Sequence, residues 1–239
     1  MAKAHILVLP LSYQGHVAPL MELSHRLVDH GFEVTFVNTT EAHHAQVVGV
    51  RQAAGIHLAS ISDGLEGDED RKDMGKVIDS YSRHMPRDLE RLIAEMEAAG
   101  RPKVKWLLCD VYMWWCIDVA KNLGIRVAAV WSAAAACLAF GLKIPKLTED
   151  GIIDNKGLPK RDETFELAPG IPLPHTSQLP WINVGAAQPS IFDLSSCIDR
   201  LTALTDIVVC NCFCEVEAGA FKLLTNHLFR RSKEFRSSD

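Results

Sequence analysis

The 239-residue sequence predicts an α/β fold, a doubly wound, mostly parallel sheet, and three observations predict it. Short apolar runs of strand length alternate with stretches of helical spacing along most of the chain. Glycine and proline fall where one kind of run gives way to the other. Finally, the exits of the first, fourth and fifth strands carry His16, Asp110, and the Trp131–Ser132 pair, on the rim where such sheets bind ligands.

The elements follow in order. HILVLPL (5–11) is an apolar strand. VAPLMELSHRLVDHG (17–31) is a helix with Pro19 in its first turn and Gly31 at its stop. Its Val17, Leu20, Leu23, Leu27 and Val28 make one buried face. FEVTFVN (32–38) completes a βαβ unit of parallel strands. A short helix (41–53) leads to the strand IHLASI (56–61), and the polar, acidic stretch 62–75 is a solvated loop. A long amphipathic helix covers 76–98, followed by the strand VKWLLCD (104–110). WWCIDVAKNLG (114–124) is a helix stopped by Gly124, IRVAAVW (125–131) a strand, and 132–144 a helix. Residues 145–188 are rich in Pro and Gly and lack periodicity, which predicts an ordered excursion over the surface. A helix (190–204) and the strand DIVVCN (206–211) close the pattern.

Composition narrows the function classes. With 48% hydrophobic residues the chain can fill a sizeable core. A formal charge of −5 argues against a protein that grips nucleic acid. No run of eighteen apolar residues predicts a membrane span, and the apolar stretch at the N-terminus is too short for a signal peptide. Seven cysteines without framework spacing point to a reducing compartment, with a cytoplasmic location as the expectation. Cys210, Cys212 and Cys214 form a C-x-C-x-C run, but zinc sites space their cysteines differently, so these are read as small buried or half-buried thiols. Asp68-Glu69-Asp70 lies in a charged loop and is read as solvated, so no metal site is expected.

His16 and Asp110 are the candidate catalytic pair. A buried carboxylate beside an imidazole fixes its tautomer and stabilises the imidazolium. No G-x-S-x-G elbow supplies a serine nucleophile, so the base would act on a substrate hydroxyl. The first strand-to-helix turn has Gly15 alone where a dinucleotide site would show G-x-G-x-x-G, and no G-K-[ST] follows. That argues against a nicotinamide-dependent oxidoreductase. His25, His30, His43, His44, His57 and His84 are read as surface residues without a site.

The assembly HILVLPLSYQGHVAPLMELSHRLVDHGFEVTFVNT resembles the N-terminus of plant UDP-dependent family-1 glycosyltransferases. The likeness continues through ISDGLEGDEDRKDMGK, LLCDVYMWWCIDVAKNLGIRVAAVWSAAAA, IPKLTEDGIIDNKGLP and VVCNCFCEVEAGAF, spanning about residues 4 to 224. Within the family it resembles the subgroup called UDP-glycosyltransferase 83A-like. The resemblance implies a Rossmann-like N-terminal, acceptor-binding domain of a GT-B fold. It implies His16 as general base towards a hydroxyl of a small metabolite, with Asp110 orienting it. Attack from the face opposite UDP would invert the sugar's configuration without a metal. Trp131 and Ser132 match positions on the donor-sugar side, and Ser12, Tyr13, Gln14 and Val17 would line the acceptor pocket. A UDP-sugar, with glucose expected, is a co-substrate, and no cofactor is implied.

The chain also departs from the family pattern. Family members carry a second domain that holds UDP with a box rich in Trp, His, Gln and Glu, and no such box occurs here. After Ala220-Phe221 the sequence runs KLLTNHLFRRSKEFRSSD, a basic tail. The expectation is therefore one domain over 1–224, a divergent and disordered tail over 225–239, and no donor-binding domain, so that the chain alone is inactive. The second reading is a non-catalytic, truncated form that holds acceptors or pairs with a full-length relative.

Overall fold

A computed structural model of the chain describes residues 4–41, 55–66 and 70–236. By internal contact it divides into two compact units, Met1–Ser132 with Thr205–Val209, and Ala133–Leu204 with Cys210–Asp239. The single domain expected over 1–224 is thus two units by this measure. The helix expected at 41–53, with His43 and His44, lies outside the described residues except Glu41, as do Asp68 and Glu69.

The first unit is built on the sheet. β1 (His5–Leu9), β2 (Glu33–Thr39), β3 (Ile56–Ile61), β4 (Val104–Asp110), β5 (Arg126–Trp131) and β6 (Ile207–Cys210) lie in the order β3-β2-β1-β4-β5-β6. The pairs β1–β2, β1–β4, β2–β3 and β4–β5 are all parallel. All five residues of β1 are buried, as a central parallel strand with both faces covered requires. The order reverses between β1 and β4, which makes their carboxyl ends the switch point of the sheet. β1 stops at Leu9, not residue 11, because Pro10 has no N–H for a ladder; Leu11 is nevertheless fully buried.

α1 (Gln14–Asp29) begins three residues earlier than its apolar pattern implies. The Tyr13 carbonyl accepts from the N–H groups of His16 and Val17, both at 2.9 Å, which closes the first turn ahead of Pro19. Pro19 is consequently the sixth helical residue. Val17 and Leu20 join Ile6, Val8, Val34 and Phe36 in the core. α2 (Met74–Ala98) opens on Asp73, whose side chain accepts from the N–H groups of Gly75 and Lys76. Val77, Tyr81, Met85, Leu89, Ile93 and Met96 recur every three or four residues and are all buried. α3 (Cys116–Asn122) ends before Gly124, whose φ of +66° is a backbone state that favours glycine.

The second unit contains α4 (Ala135–Glu149), α5 (Gln188–Leu204) and α6 (Ala218–Arg236), joined by irregular segments. α4 runs through Pro145 to Glu149, five residues past the expected end. Gly141 lets α5 approach it: a Cβ there would stand 2.4 Å from Ile198 Cδ1. The excursion after α4 is not confined to the surface. Trp181 is fully buried, donates from Nε1 to the Gly157 carbonyl at 2.7 Å, and packs edge-on against Phe192 and Phe140. Ile153, Phe165, Leu167 and Leu179 are buried too, so this segment shares a core with α4 and α5. Residues 225–236, where the sequence suggests a tail, continue α6, whose Ala220 and Leu224 are buried. A helix with one apolar side to bury forms despite its basic composition.

Candidate active site

The register of the sheet sets the site. Leu9 at the end of β1 pairs with Cys109, so the chain leaving β1 and the chain leaving β4 emerge side by side. His16, on the first turn of α1, and Asp110, the last residue of β4, are brought together: Nδ1 and Oδ2 are 2.7 Å apart. The Asp110 side chain is only 1% exposed, against 24% for His16.

Asp110 has extended backbone and caps the short 3-10 turn Val111–Met113, its Oδ1 accepting from the Tyr112 N–H at 2.9 Å. Its Oδ2 accepts from the Ser132 hydroxyl at 3.1 Å as well as from His16. A carboxylate that accepts all three bonds has no proton to give. His16 Nδ1 therefore carries its hydrogen towards Asp110, and the neutral ring keeps its lone pair on Nε2. The arrangement can take up one proton at Nε2 and offset the resulting charge across the ring.

Tyr112 was not singled out by sequence reasoning, yet it completes the site. Its ring meets His16 edge-on at 5.4 Å and stacks on Trp131 at 6.4 Å. Its signal was local: an aspartate ending a strand turns back to bond the N–H two residues on, which places residue i+2 beside the carboxylate. Trp131, the last residue of β5, is buried and reaches the site through this stack.

The other four predicted residues are placed differently. Gln14 is exposed on the first turn of α1. Tyr13 donates its hydroxyl to the Arg71 carbonyl at 3.1 Å, and burial, with Asp73 nearby, raises its pKa. Ser12 Oγ is shielded from solvent beside Tyr81, whose hydroxyl burial pushes up to about 12. Val17 is 4% exposed and packs into the core, so it supports the first turn from beneath and presents no open face.

Of the remaining candidates, Asp70 pairs with Lys76, while Cys210 and Cys212 are half-buried and Cys214 is exposed. Burial pushes the Cys210 thiol up to about 12. Among the described residues no group of three or more His, Cys, Asp or Glu side chains could hold a metal, and no helix is long and apolar enough to cross a membrane.

The six-stranded sheet, with its switch point between β1 and β4, is a Rossmann-like domain matching the N-terminal domain of a GT-B fold. The chain belongs to the plant UDP-glycosyltransferases. It is 36% identical over 242 residues to UDP-glycosyltransferase 83A1 of Arabidopsis thaliana, covering 95% of this chain and 51% of that protein. A solved UDP-glucosyltransferase from Polygonum tinctorium, capable of glucosylating indoxyl, superposes with a TM-score of 0.72 at 22% identity, over 93% of this chain and 49% of its own. UGT2 of Phytolacca americana, solved with UDP-2-fluoro-glucose and pterostilbene, also gives 0.72, at 19% identity over 94% of this chain and 51% of its own. No family model matches. The chain spans about half the length of the curated relatives it matches.

Proposed function

We propose that these residues form the acceptor-activating half of an inverting, metal-independent transfer of a sugar, glucose, from a UDP-sugar to a hydroxyl of a small metabolite. The observation that carries this reading is the His16–Asp110 hydrogen bond, which leaves Nε2 as a base on the sheet's rim. The names of relatives such as UDP-glycosyltransferase 83A1 and UDP-glycosyltransferase 82A1 supply the reaction class.

In this reading the acceptor's O–H gives its proton to His16 Nε2. The oxygen bonds to the anomeric carbon from the face opposite UDP, and the carbon–oxygen bond to UDP breaks with its electron pair leaving on the diphosphate. Inversion follows from that in-line geometry. Asp110 holds the ring's tautomer and balances the imidazolium. Ser132 and Trp131 stand on the sugar side, with Ser12, Tyr13 and Gln14 on the acceptor side and Val17 beneath them. Residues 1–239 by themselves do not turn over: they span about half the length of their relatives, and the family resemblance assigns the box that holds UDP to the other half.

The test fuses residues 1–224 to the remaining half of UDP-glycosyltransferase 83A1 and offers UDP-glucose with a panel of phenolic and terpenoid alcohols. Mass spectrometry reads the hexose adduct. The fusion is expected to form it, and His16→Gln to cut the rate by roughly 10²–10⁴. An unchanged rate in His16→Gln, or a fusion that binds UDP and yields no adduct, overturns the reading. An adduct from residues 1–239 alone overturns only the claim that they do not turn over.

A further inference from the structure

The second unit contains a cavity of about 410 Å³ that shares no residue with the His16 site. That is the size of a small-molecule pocket. Its apolar lining includes Leu142 from α4 and Leu223 from α6. Its polar lining is Lys143 from α4 with Lys222, Asn226 and His227 from α6.

The charges are lopsided. No Asp or Glu is among the described residues that line the cavity. Neither lysine enters a hydrogen bond or ion pair with any described residue, although Lys143 is half-buried. His227 is engaged: its Nε2 lies 2.6 Å from Asp199 Oδ1, so the ring donates outward to that carboxylate and turns Nδ1, a lone pair in the neutral form, to other partners. Among the described residues neither ammonium group has a counter-charge, and an anion between them offsets both charges. The aliphatic stems of the lysines extend the apolar wall while their heads present donors.

We propose that this cavity binds an amphipathic organic carboxylate, its carboxylate against Lys143 and Lys222 and its apolar body against Leu142 and Leu223. Asn226 supplies a further donor to the same head group. The ligand class follows from two lysines and apolar side chains in one lining: a neutral apolar molecule gives the ammonium groups no counter-charge, and inorganic phosphate leaves the apolar side chains uncovered.

The test uses the 239-residue chain, with 2-naphthoate as probe and 2-naphthamide, matched in shape and uncharged, as control. Isothermal titration calorimetry is expected to give saturable one-site binding of 2-naphthoate, at least tenfold tighter than the amide and weakening as salt rises. Lys143→Met with Lys222→Met, which keeps the apolar stems, is expected to lower affinity for 2-naphthoate at least tenfold and leave the amide unaffected. Leu223→Glu, placing a carboxylate in the lining, abolishes binding of 2-naphthoate. Equal affinity for acid and amide, no saturable binding of either, or double-lysine and Leu223→Glu variants that are folded by circular dichroism and bind 2-naphthoate as the parent does each overturn the proposal.

Discussion

Each unit of the molecule contains a histidine–aspartate pair joined by a short hydrogen bond, and by distance the two are nearly equal: 2.7 Å for His16–Asp110 and 2.6 Å for His227–Asp199. Their surroundings differ. Asp110 ends a central strand, is 1% exposed, and accepts from a backbone N–H and a serine hydroxyl besides the imidazole. Asp199 rides a helix with 35% of its side chain exposed. A buried carboxylate cannot trade its partners for water, so the His16 ring is fixed in one tautomer and one orientation, whereas the exposed pair competes with solvent. Length alone does not separate a pair built for chemistry from one that dresses a surface; burial of the acceptor does.

Removing each carboxylate sharpens the contrast, and the largest effect is expected at Asp110. Asp110→Ala strips partners from His16, Ser132 and the Tyr112 N–H at once, inside a closed environment. Buried hydrogen bonds to a charged group are worth roughly 1.5–3 kcal/mol each and do not add, so a loss of about 3 kcal/mol in chemical denaturation is expected. A cost below about 1 kcal/mol would mean that Asp110 is not an anchor of the sheet's rim, and the comparison with Asp199 would collapse.

The two units were also unequally legible in the sequence. Strand and helix periodicity gave the first unit's order, and with it the side-by-side exits that carry His16 and Asp110, because both patterns repeat within a few residues. Tyr112 escaped because its role depends on a turn two residues long. In the second unit the decisive contacts do not repeat. The Trp181 indole on the Gly157 carbonyl joins residues 24 apart, and the Glu217 carboxylate takes the N–H groups of Ala135 and Ala136 at the start of α4, some eighty residues away. Burial alone would raise Glu217, but those two N–H groups, Ala136 first, hold its carboxyl below the usual carboxylate range. Such single anchors turn a Pro- and Gly-rich stretch into a packed core, and no periodicity announces them. The apolar side of α6 was likewise masked by the tail's basic residues.

A third histidine, buried without a carboxylate on either ring nitrogen, extends the comparison. His5 donates from Nδ1 to the Pro102 carbonyl at 2.8 Å, so its Nε2 accepts from the Thr35 hydroxyl, also at 2.8 Å. The neutral ring is satisfied, and burial lowers its pKa below the ordinary 6.5 despite the raising effect of the Pro102 carbonyl and Glu33. Near pH 6 the unfolded chain therefore binds more protons at this position than the folded one. The contribution is complete above about pH 6.5 and is lost as pH falls from there towards the lowered value, at no more than about 1.4 kcal/mol per pH unit. Thermal midpoints at pH 7.5 and 5.5 should fall by less in His5→Gln than in the parent. Equal falls would place the acid sensitivity elsewhere and remove His5 as the example of a buried imidazole bonded only to neutral groups.

The smallest effect belongs to the exposed pair. In Asp199→Asn the amide oxygen still accepts from the His227 ring, while the attraction between carboxylate and imidazole is lost. Both side chains are about one-third exposed, so water screens that attraction and the expected loss is about 0.5 kcal/mol, shrinking further in 1 M salt. The measurement is a denaturant midpoint at low and high salt beside Asp110→Asn, the matching change at the buried pair. Asp110→Asn is expected to cost several times more and to respond less to salt, because ions do not reach a carboxylate that is 1% exposed. Should the two amides cost the same, with the same salt response, burial of the acceptor would no longer distinguish the pairs. The case for His16 as the base would then rest on its place at the switch point between β1 and β4.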